Sequence, residues 1–165
     1  HFAFHRCQQP QSDGPMIQRA SIEIDRPVDE VFQYTTNNVS EWSDTVVSEE
    51  VVEEMPGVVG TRFVSVTESQ GQRMEFQGVV THYEPPKFSA VELVGDQFDI
   101  EARYAFEDLG GSTRVTQVSA VKPKSLAMKV VFGCFGWLMK KSSCDAAMKE
   151  MESLKRHLED GAATE

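Results

Sequence analysis

The sequence predicts an α+β fold in which a curved antiparallel sheet of six to seven strands wraps around one long C-terminal helix. Three observations support this prediction. Residues 46–121 alternate polar and apolar side chains with the period of two that is typical of strands. Turns rich in Gly and Pro separate these segments. Helical spacing of apolar residues appears only near the start and after residue 124.

One strand and two short helices are predicted before the main sheet. Residues 17–25 are rich in Ile and alternate imperfectly, which favours a strand. Pro27 follows, and a proline in the first helical turn has a preset φ and needs no backbone hydrogen bond there. The apolar residues after it share one face at i, i+3, i+4 spacing, so a helix begins there. Residues 39–45, which include Trp42, are predicted to form the second helix.

The middle of the chain reads as a meander of neighbouring strands. The predicted strands cover residues 47–54, 61–68, 73–84, 88–94, 98–107 and 112–121. Gly95-Asp96 is a two-residue hairpin signal between two apolar strands. Such short connections require antiparallel neighbours, because a parallel crossover needs a dozen or more residues. Strict alternation in residues 98–107 indicates one buried and one solvated face.

A long helix is predicted after Pro123. Its apolar stripe comprises Met128, Val131, Phe135, Leu138, Cys144, Met148, Met151, Leu154 and Leu158. Gly133 and Gly136 each weaken the helix by about 1 kcal/mol relative to Ala and mark a kink or a delayed start. One helix is narrower than such a sheet, so the sheet must curve around it to cover its apolar face. Curvature leaves an internal space unless side chains fill it.

Composition limits the partners. The 165 residues fit one domain, with residues 1–16 predicted as a flexible tail, 17–160 as the domain and 161–165 as a C-terminal tail. The net charge of −10 repels nucleic acid and anionic lipid surfaces, so no nucleic-acid partner is expected. The most apolar stretch, 126–139, is too short for a transmembrane segment.

The number and spacing of the cysteines indicate the redox compartment in which the protein is expected. Cys7, Cys134 and Cys144 form an odd, widely spaced set, which does not suggest a disulfide framework or a zinc site. They are expected to be reduced thiols in a cytoplasmic protein. Met16 is a candidate natural start, with the preceding residues as an extension outside the fold.

An aromatic-lined ligand pocket is the sharpest site hypothesis, and a filled core is its alternative. Tyr104 would supply a polar handle, because a buried phenol seeks a hydrogen-bond partner. The candidate pocket residues are Trp42, Phe63, Phe76, Phe98, Ile100, Tyr104, Phe132 and Phe135.

The sequence gives little support for an acid–base catalytic site or for a metal-binding site. Asp99, Glu101 and Arg103 lie opposite the apolar face of their strand by parity, so they are predicted on the solvent side. The face on which Glu75 lies is left open. The histidines are scattered and no H-E-x-x-H or G-x-S-x-G motif occurs, so neither a metal nor a cofactor is expected and no catalytic residue is assigned.

Several segments, taken in order, carry a family resemblance. They are Ile22-Glu-Ile-Asp-Arg-Pro-Val-Asp-Glu-Val-Phe32, Trp42, Gly60-Thr-Arg-Phe63, Gly78-Val-Val-Thr-His-Tyr-Glu-Pro-Pro86 and Gly111-Ser-Thr-Arg-Val-Thr116. Over residues 17 to about 158 the chain resembles the START-like, or Bet v 1-like (SRPBCC), superfamily, and within it the bacterial polyketide cyclase/dehydrase-like branch. The resemblance implies a helix-grip fold with an apolar cavity. It does not choose an activity, because the superfamily includes lipid carriers, hormone receptors, cyclases and chaperone activators.

Three functional hypotheses follow. The favoured one is binding or transport of a hydrophobic small molecule or lipid in the internal cavity, by a monomer or homodimer. A polyketide cyclase/dehydratase-like enzyme is the second, and it requires at least one buried carboxylate, His or Arg that faces the cavity. The third is a protein-interaction module without a ligand. A closed core together with an exposed apolar patch would favour this hypothesis.

Overall fold

In the computed structural model, which describes residues 16–69 and 71–161 apart from the side chains of 131–143, seven strands form one antiparallel sheet. The spatial order is β1-β7-β6-β5-β4-β3-β2, so β1 and β2 are the two edges. The predicted fold class is confirmed, including the two short helices after the first strand. The elements are β1 Met16–Ile24, α1 Val28–Asn37, α2 Val39–Trp42, β2 Val46–Glu53, β3 Arg62–Ser69, β4 Gln72–Glu84, β5 Phe88–Val94, β6 Phe98–Asp108, β7 Thr113–Pro123 and α3 Leu126–Gly161.

The strand order follows from the lengths of the connections. Each strand from β2 to β6 pairs with the strand that follows it in sequence. The turn from β6 to β7 includes Gly110 and Gly111 at φ values of 86° and 108°, which L side chains rarely adopt. β1 pairs with β7, with Ile22 opposite Val115. The helices α1 and α2 then carry the chain to the far edge, where β2 begins.

Element boundaries differ from the predicted ones mainly at their ends. The strand limits shift by no more than two residues. Pro27 is the N-cap of α1 and not its first residue. α2 ends at Trp42, three residues earlier than predicted. Met16 already belongs to β1, and Gly161 is the last residue of α3, whereas both were predicted to lie outside the domain. The rest of the two predicted tails lies outside the described residues.

The closed core lies under the C-terminal half of α3. Met151, Leu154 and Leu158 are buried there against β1, β6, β7 and α1. The first turns differ, because the Leu126 and Val130 side chains are 78% and 57% exposed. The described side chains of α3 therefore cover one half of the inner face of the sheet. Among the described residues, no helix is both long and apolar enough to cross a membrane.

The state of one cysteine corrects a prediction. Cys144 is disulfide-bonded, and its partner sulfur lies outside the described side chains. An odd number of cysteines excludes complete pairing but leaves room for one disulfide, which the sequence argument overlooked. The cytoplasmic location, which rested on reduced thiols, stays a prediction.

The ring of Phe63 lies directly over Gly78. The two residues are partners across β3 and β4, and Phe63 is buried. A Cβ atom at position 78 would lie 2.4 Å from ring carbons of Phe63, far inside van der Waals contact. The glycine therefore makes room for an aromatic ring on the inner face of the sheet.

We expect Gly78→Ala to lower the free energy of unfolding by about 1–3 kcal/mol, the usual cost of overpacking, as measured by urea denaturation. Alanine ordinarily stabilises a strand relative to glycine, so a loss reports the clash with Phe63. Gly161→Ala is the control, since a Cβ there meets nothing within 4 Å. The double variant Phe63→Leu/Gly78→Ala should lose less than the sum of its single variants. Strictly additive losses would contradict the contact.

Candidate functional site

The predicted pocket residues occupy two different environments. Phe63 and Phe76 are buried on the inner face of β3 and β4, and Phe98, Ile100 and Tyr104 of β6 are half-buried. The rings of Phe76 and Phe98 contact each other, with centroids 5.7 Å apart. These side chains lie on one continuous face of the sheet. Their role as ligand contacts stays a prediction.

Trp42 lies in the closed core, where its side chain is 1% exposed. Its Nε1 donates a hydrogen bond to the Thr35 carbonyl oxygen at 3.2 Å, and its ring meets Tyr104 edge-on at 6.3 Å. Trp42 therefore supports the wall on which Tyr104 sits. Phe132 and Phe135 fall outside the described side chains.

The charged strand residues considered from the sequence lie on the outer face. Arg103 is paired with Glu101, and Lys124 Nζ lies 3.1 Å from Asp99 Oδ1. Glu75 is exposed on the face opposite the buried Phe76. None of these side chains lies on the inner face. This agrees with the prediction from residue parity in β6, and it places Glu75 on the outer face of β4.

A carboxyl group that the sequence analysis missed lies on the inner face. Glu49 of β2 is the register partner of Ser65 on β3, and directly opposite residues share one face of a sheet. Ser65 is 0% exposed, so this shared face is the interior one. The signal was present in the sequence, because the adjacent acids Glu49 and Glu50 of one strand must point to opposite faces.

The electrostatics of Glu49 are those of a side chain in a recess. Burial in the surrounding protein raises the pKa of Glu49 to about 7, against a smaller lowering by the Ser65 hydroxyl. The side chain is nevertheless exposed to solvent. The raised pKa of Glu49 therefore reflects protein atoms near an accessible carboxyl group and not its removal from solvent.

Two buried hydroxyl groups beside Glu49 are unpaired. Ser65 Oγ and Thr67 Oγ1 have no hydrogen-bond partner among the described residues. Ser65 acts on the pKa of Glu49, yet no hydrogen bond of ordinary geometry joins the two groups. Residues two apart in a strand share a face, so both hydroxyls lie on the inner side. A buried unpaired polar group costs roughly 1–3 kcal/mol, which makes this pair notable.

Tyr104 adds a third polar group. Gln117 Nε2 donates to Tyr104 Oη at 3.0 Å from the paired position on β7, so the phenol oxygen acts as acceptor. Its own proton has no acceptor among the described residues. Burial, followed by the negative fields of Glu150 and Glu49, raises the pKa of Tyr104 far above its usual range. Tyr104 is therefore a protonated donor whose pKa responds to both carboxyl groups.

Glu150 of α3 is fully engaged. Its Oε1 accepts from the backbone N–H groups of Asp44 and Thr45 at 2.9 and 3.1 Å and from Thr45 Oγ1 at 3.2 Å. Its Oε2 accepts from Ser43 Oγ at 2.8 Å. Burial raises the pKa of Glu150, and these hydrogen bonds oppose that effect. Glu150 thus ties α3 to the segment that starts β2.

The site therefore has an apolar wall and a polar end. The wall is formed by the inner faces of β4 to β6, and the polar end by Glu49, Ser65, Thr67 and Tyr104. Within the part of the chain that the structure describes, no group of three or more His, Cys, Asp or Glu residues is placed to hold a metal ion.

Comparison with solved structures shows the same fold in other proteins. A protein from Thermus thermophilus has a TM-score of 0.73 and 17% identity, over 88% of this chain and 98% of that one. A START superfamily protein from Mycobacterium smegmatis also has a TM-score of 0.73 and 17% identity, over 87% and 97%. An aromatase/cyclase from a Streptomyces species has a TM-score of 0.63 and 10% identity, over 86% and 94%. At these identities the likeness concerns the fold alone.

The family assignment rests on the sequence as a whole. No curated protein matches the chain. A family model described as polyketide cyclase/dehydrase and lipid transport matches residues 18–159, which include every described strand except the start of β1. The expected START-like architecture is present in the same region. The chain therefore belongs to the polyketide cyclase/dehydrase and lipid transport family.

Proposed function

We propose that the protein binds a hydrophobic small molecule or lipid in the recess between the inner face of the sheet and α3. The observation that carries this proposal is the pair of buried hydroxyls of Ser65 and Thr67 on that face, which have no hydrogen-bond partner in the described part of the chain. A core packed only for stability pairs such groups or replaces them by apolar side chains. A recess that takes up a ligand gives them a partner when it is filled.

The rest of the inner face supports the same function. Leu93, Ile100 and Val121 occupy paired positions on three adjacent strands and are all half-buried. The closed core, by contrast, holds residues such as Ile24 and Val115 at 0% exposure. Half-buried apolar side chains in a concave sheet are what an apolar ligand would cover. Lipid transport in the family description agrees with this proposal.

Enzymatic activity of the cyclase or dehydratase type is the second candidate. The specific observation in its favour is Glu49, an exposed carboxyl group whose register with the buried Ser65 places it on the inner face of β2. A carboxyl group with a pKa of about 7 can both accept and donate a proton at neutral pH, as a general acid–base catalyst must. Tyr104 would hold a carbonyl oxygen through its free proton.

Exposed valines on the edge strand β2 bear on the third hypothesis, an interaction module. Val47, Val51 and Val52 are 47%, 61% and 63% exposed. They suit the rim of a recess as well as a protein contact. The unpaired interior hydroxyls favour the ligand.

We expect saturable binding of N-phenyl-1-naphthylamine, a neutral apolar fluorophore, with a rise in its emission. At a hundredfold excess over Kd the ligand should add about 2.7 kcal/mol to the free energy of unfolding and raise Tm. Ile100→Trp, which fills the recess, should weaken binding at least tenfold. Ala105→Trp places the same ring on the exposed outer face of β6 and is the matched control. Absence of saturable binding together with an unchanged Tm would refute the proposal.

Stability should depend on pH through Glu49. Because its folded pKa, about 7, lies above the ordinary value near 4.5, the folded state binds this proton more tightly than the unfolded state. The stabilising contribution is complete below pH 4.5 and is lost as the pH rises to about 7. The free energy of unfolding of the wild type minus that of Glu49→Gln should fall across this window, by denaturant titration.

Glu50→Gln removes the same charge from the outer face of β2 and controls for net charge. A wild-type minus Glu49→Gln difference that stays constant, or that rises, between pH 4.5 and 7 would show that Glu49 is not held in the recess.

A further inference from the structure

We infer that Glu49, Ser65, Thr67 and Tyr104 form a hydrogen-bonding subsite for the hydroxyl group of a neutral, otherwise apolar ligand. This inference rests on the proposed ligand-binding function and specifies which molecules the recess selects. The apolar wall would hold the carbon skeleton, and the subsite would fix its polar end.

The members of the subsite come from three strands. Glu49 faces Ser65 across the β2–β3 pair, and Thr67 follows two residues further on the same face. Tyr104 lies on β6 and is within range of the electrostatic fields of Glu49 and Glu150. Glu49, Ser65 and Thr67 therefore lie together on the inner side of β2 and β3.

The three hydroxyl protons of the subsite lack an acceptor among the described residues, which distinguishes these hydroxyls from structural polar groups. Glu150 accepts hydrogen bonds from two backbone N–H groups and two hydroxyls. Among the described residues, Ser65 Oγ and Thr67 Oγ1 have no hydrogen-bond partner of ordinary geometry, although Ser65 is completely buried. The Tyr104 proton also lacks an acceptor there. One set of groups is used by the fold, and the other is free for a ligand.

The donors and acceptors define the ligand group. The hydroxyls of Ser65, Thr67 and Tyr104 each bring a proton that needs an acceptor, while the carboxylate of Glu49 needs a donor. A ligand hydroxyl serves both kinds of group, because its oxygen accepts up to two of these protons and its own proton is donated to Glu49. A ketone or ether would leave Glu49 unpaired. An ammonium group has no lone pair for the three hydroxyls.

Charge excludes an anionic head group. Glu49 and Glu150 place negative charge at this end of the recess, and the chain as a whole carries −10. A carboxylate or phosphate among them would meet like charges in a partly desolvated place, which is unfavourable. The subsite therefore selects against fatty-acid and phospholipid head groups and favours a neutral alcohol or phenol.

Four ligands with one skeleton test this inference: biphenyl, 4-phenylphenol, biphenyl-4-carboxylate and 4-(aminomethyl)biphenyl. Their Kd values are measured by tryptophan fluorescence or calorimetry with the full chain at a mildly alkaline pH. We expect 4-phenylphenol to bind about tenfold more tightly than biphenyl, a typical gain from hydrogen bonds that include a charged group. The carboxylate and the amine should bind more weakly than the phenol.

Two variants assign the selectivity to the subsite. Ser65→Ala should reduce the preference for the phenol over biphenyl to about threefold or less while biphenyl binding is retained, which also shows that the variant is folded. Glu49→Gln should narrow the gap between the phenol and the carboxylate. Glu50→Gln on the outer face is the control and should change neither ratio.

The outcomes separate the two proposals. If biphenyl and 4-phenylphenol bind equally well, the recess exists and the subsite inference is wrong. Preference for the amine or the carboxylate would also overturn the inference and leave ligand binding in place. If none of the four compounds binds, the proposed function fails together with the subsite.

Discussion

The carboxylate of Glu150 fixes where β2 begins relative to α3, and the proposed recess depends on that position. Two backbone N–H groups and two hydroxyls of residues 43–45 point at this one side chain. One turn further along α3, Ser153 Oγ donates to the Trp42 carbonyl oxygen at 2.6 Å and anchors α2. None of the side chains of the edge strand β2 is buried. These contacts therefore hold β2 in place at the edge of the sheet. The position of Glu49 depends on them.

Among the described side chains, one half of the sheet forms a closed core and the other half is less completely buried. Under the end of α3, Phe32, Phe106 and Met151 meet in a closed core, with ring centroids of the two phenylalanines 5.0 Å apart. Toward β2, apolar side chains are half-buried and polar groups lack partners among the described residues. Burial in the first half offsets the cost of incomplete pairing in the second. A ligand would remove part of that cost.

The spacing of apolar residues predicted the strands and their inner faces. It could not predict features that depend on single contacts between residues distant in sequence. Alternation from Phe98 to Phe106 identified the inner face of β6, and short glycine turns predicted the strand order. Trp42 illustrates the limit, because aromatic character alone cannot tell a core position from a pocket wall. Glu49 was missed because two adjacent acidic residues are typical of a solvent-exposed strand. Only the register with Ser65 shows which of the two lies on the inner face. The disulfide of Cys144 lay beyond any spacing rule.

The central claim is that the interior hydroxyls of the recess are kept for a ligand and not for the fold. The free energy of unfolding of ligand-free Thr67→Val, compared with Thr35→Val, tests it most directly. Thr35 Oγ1 donates to the Val31 carbonyl oxygen at 2.6 Å, so its loss should destabilise the protein. Loss of the unpaired Thr67 hydroxyl should leave the free energy of unfolding unchanged or raise it by about 1 kcal/mol. A destabilisation of Thr67→Val equal to that of Thr35→Val would contradict the account.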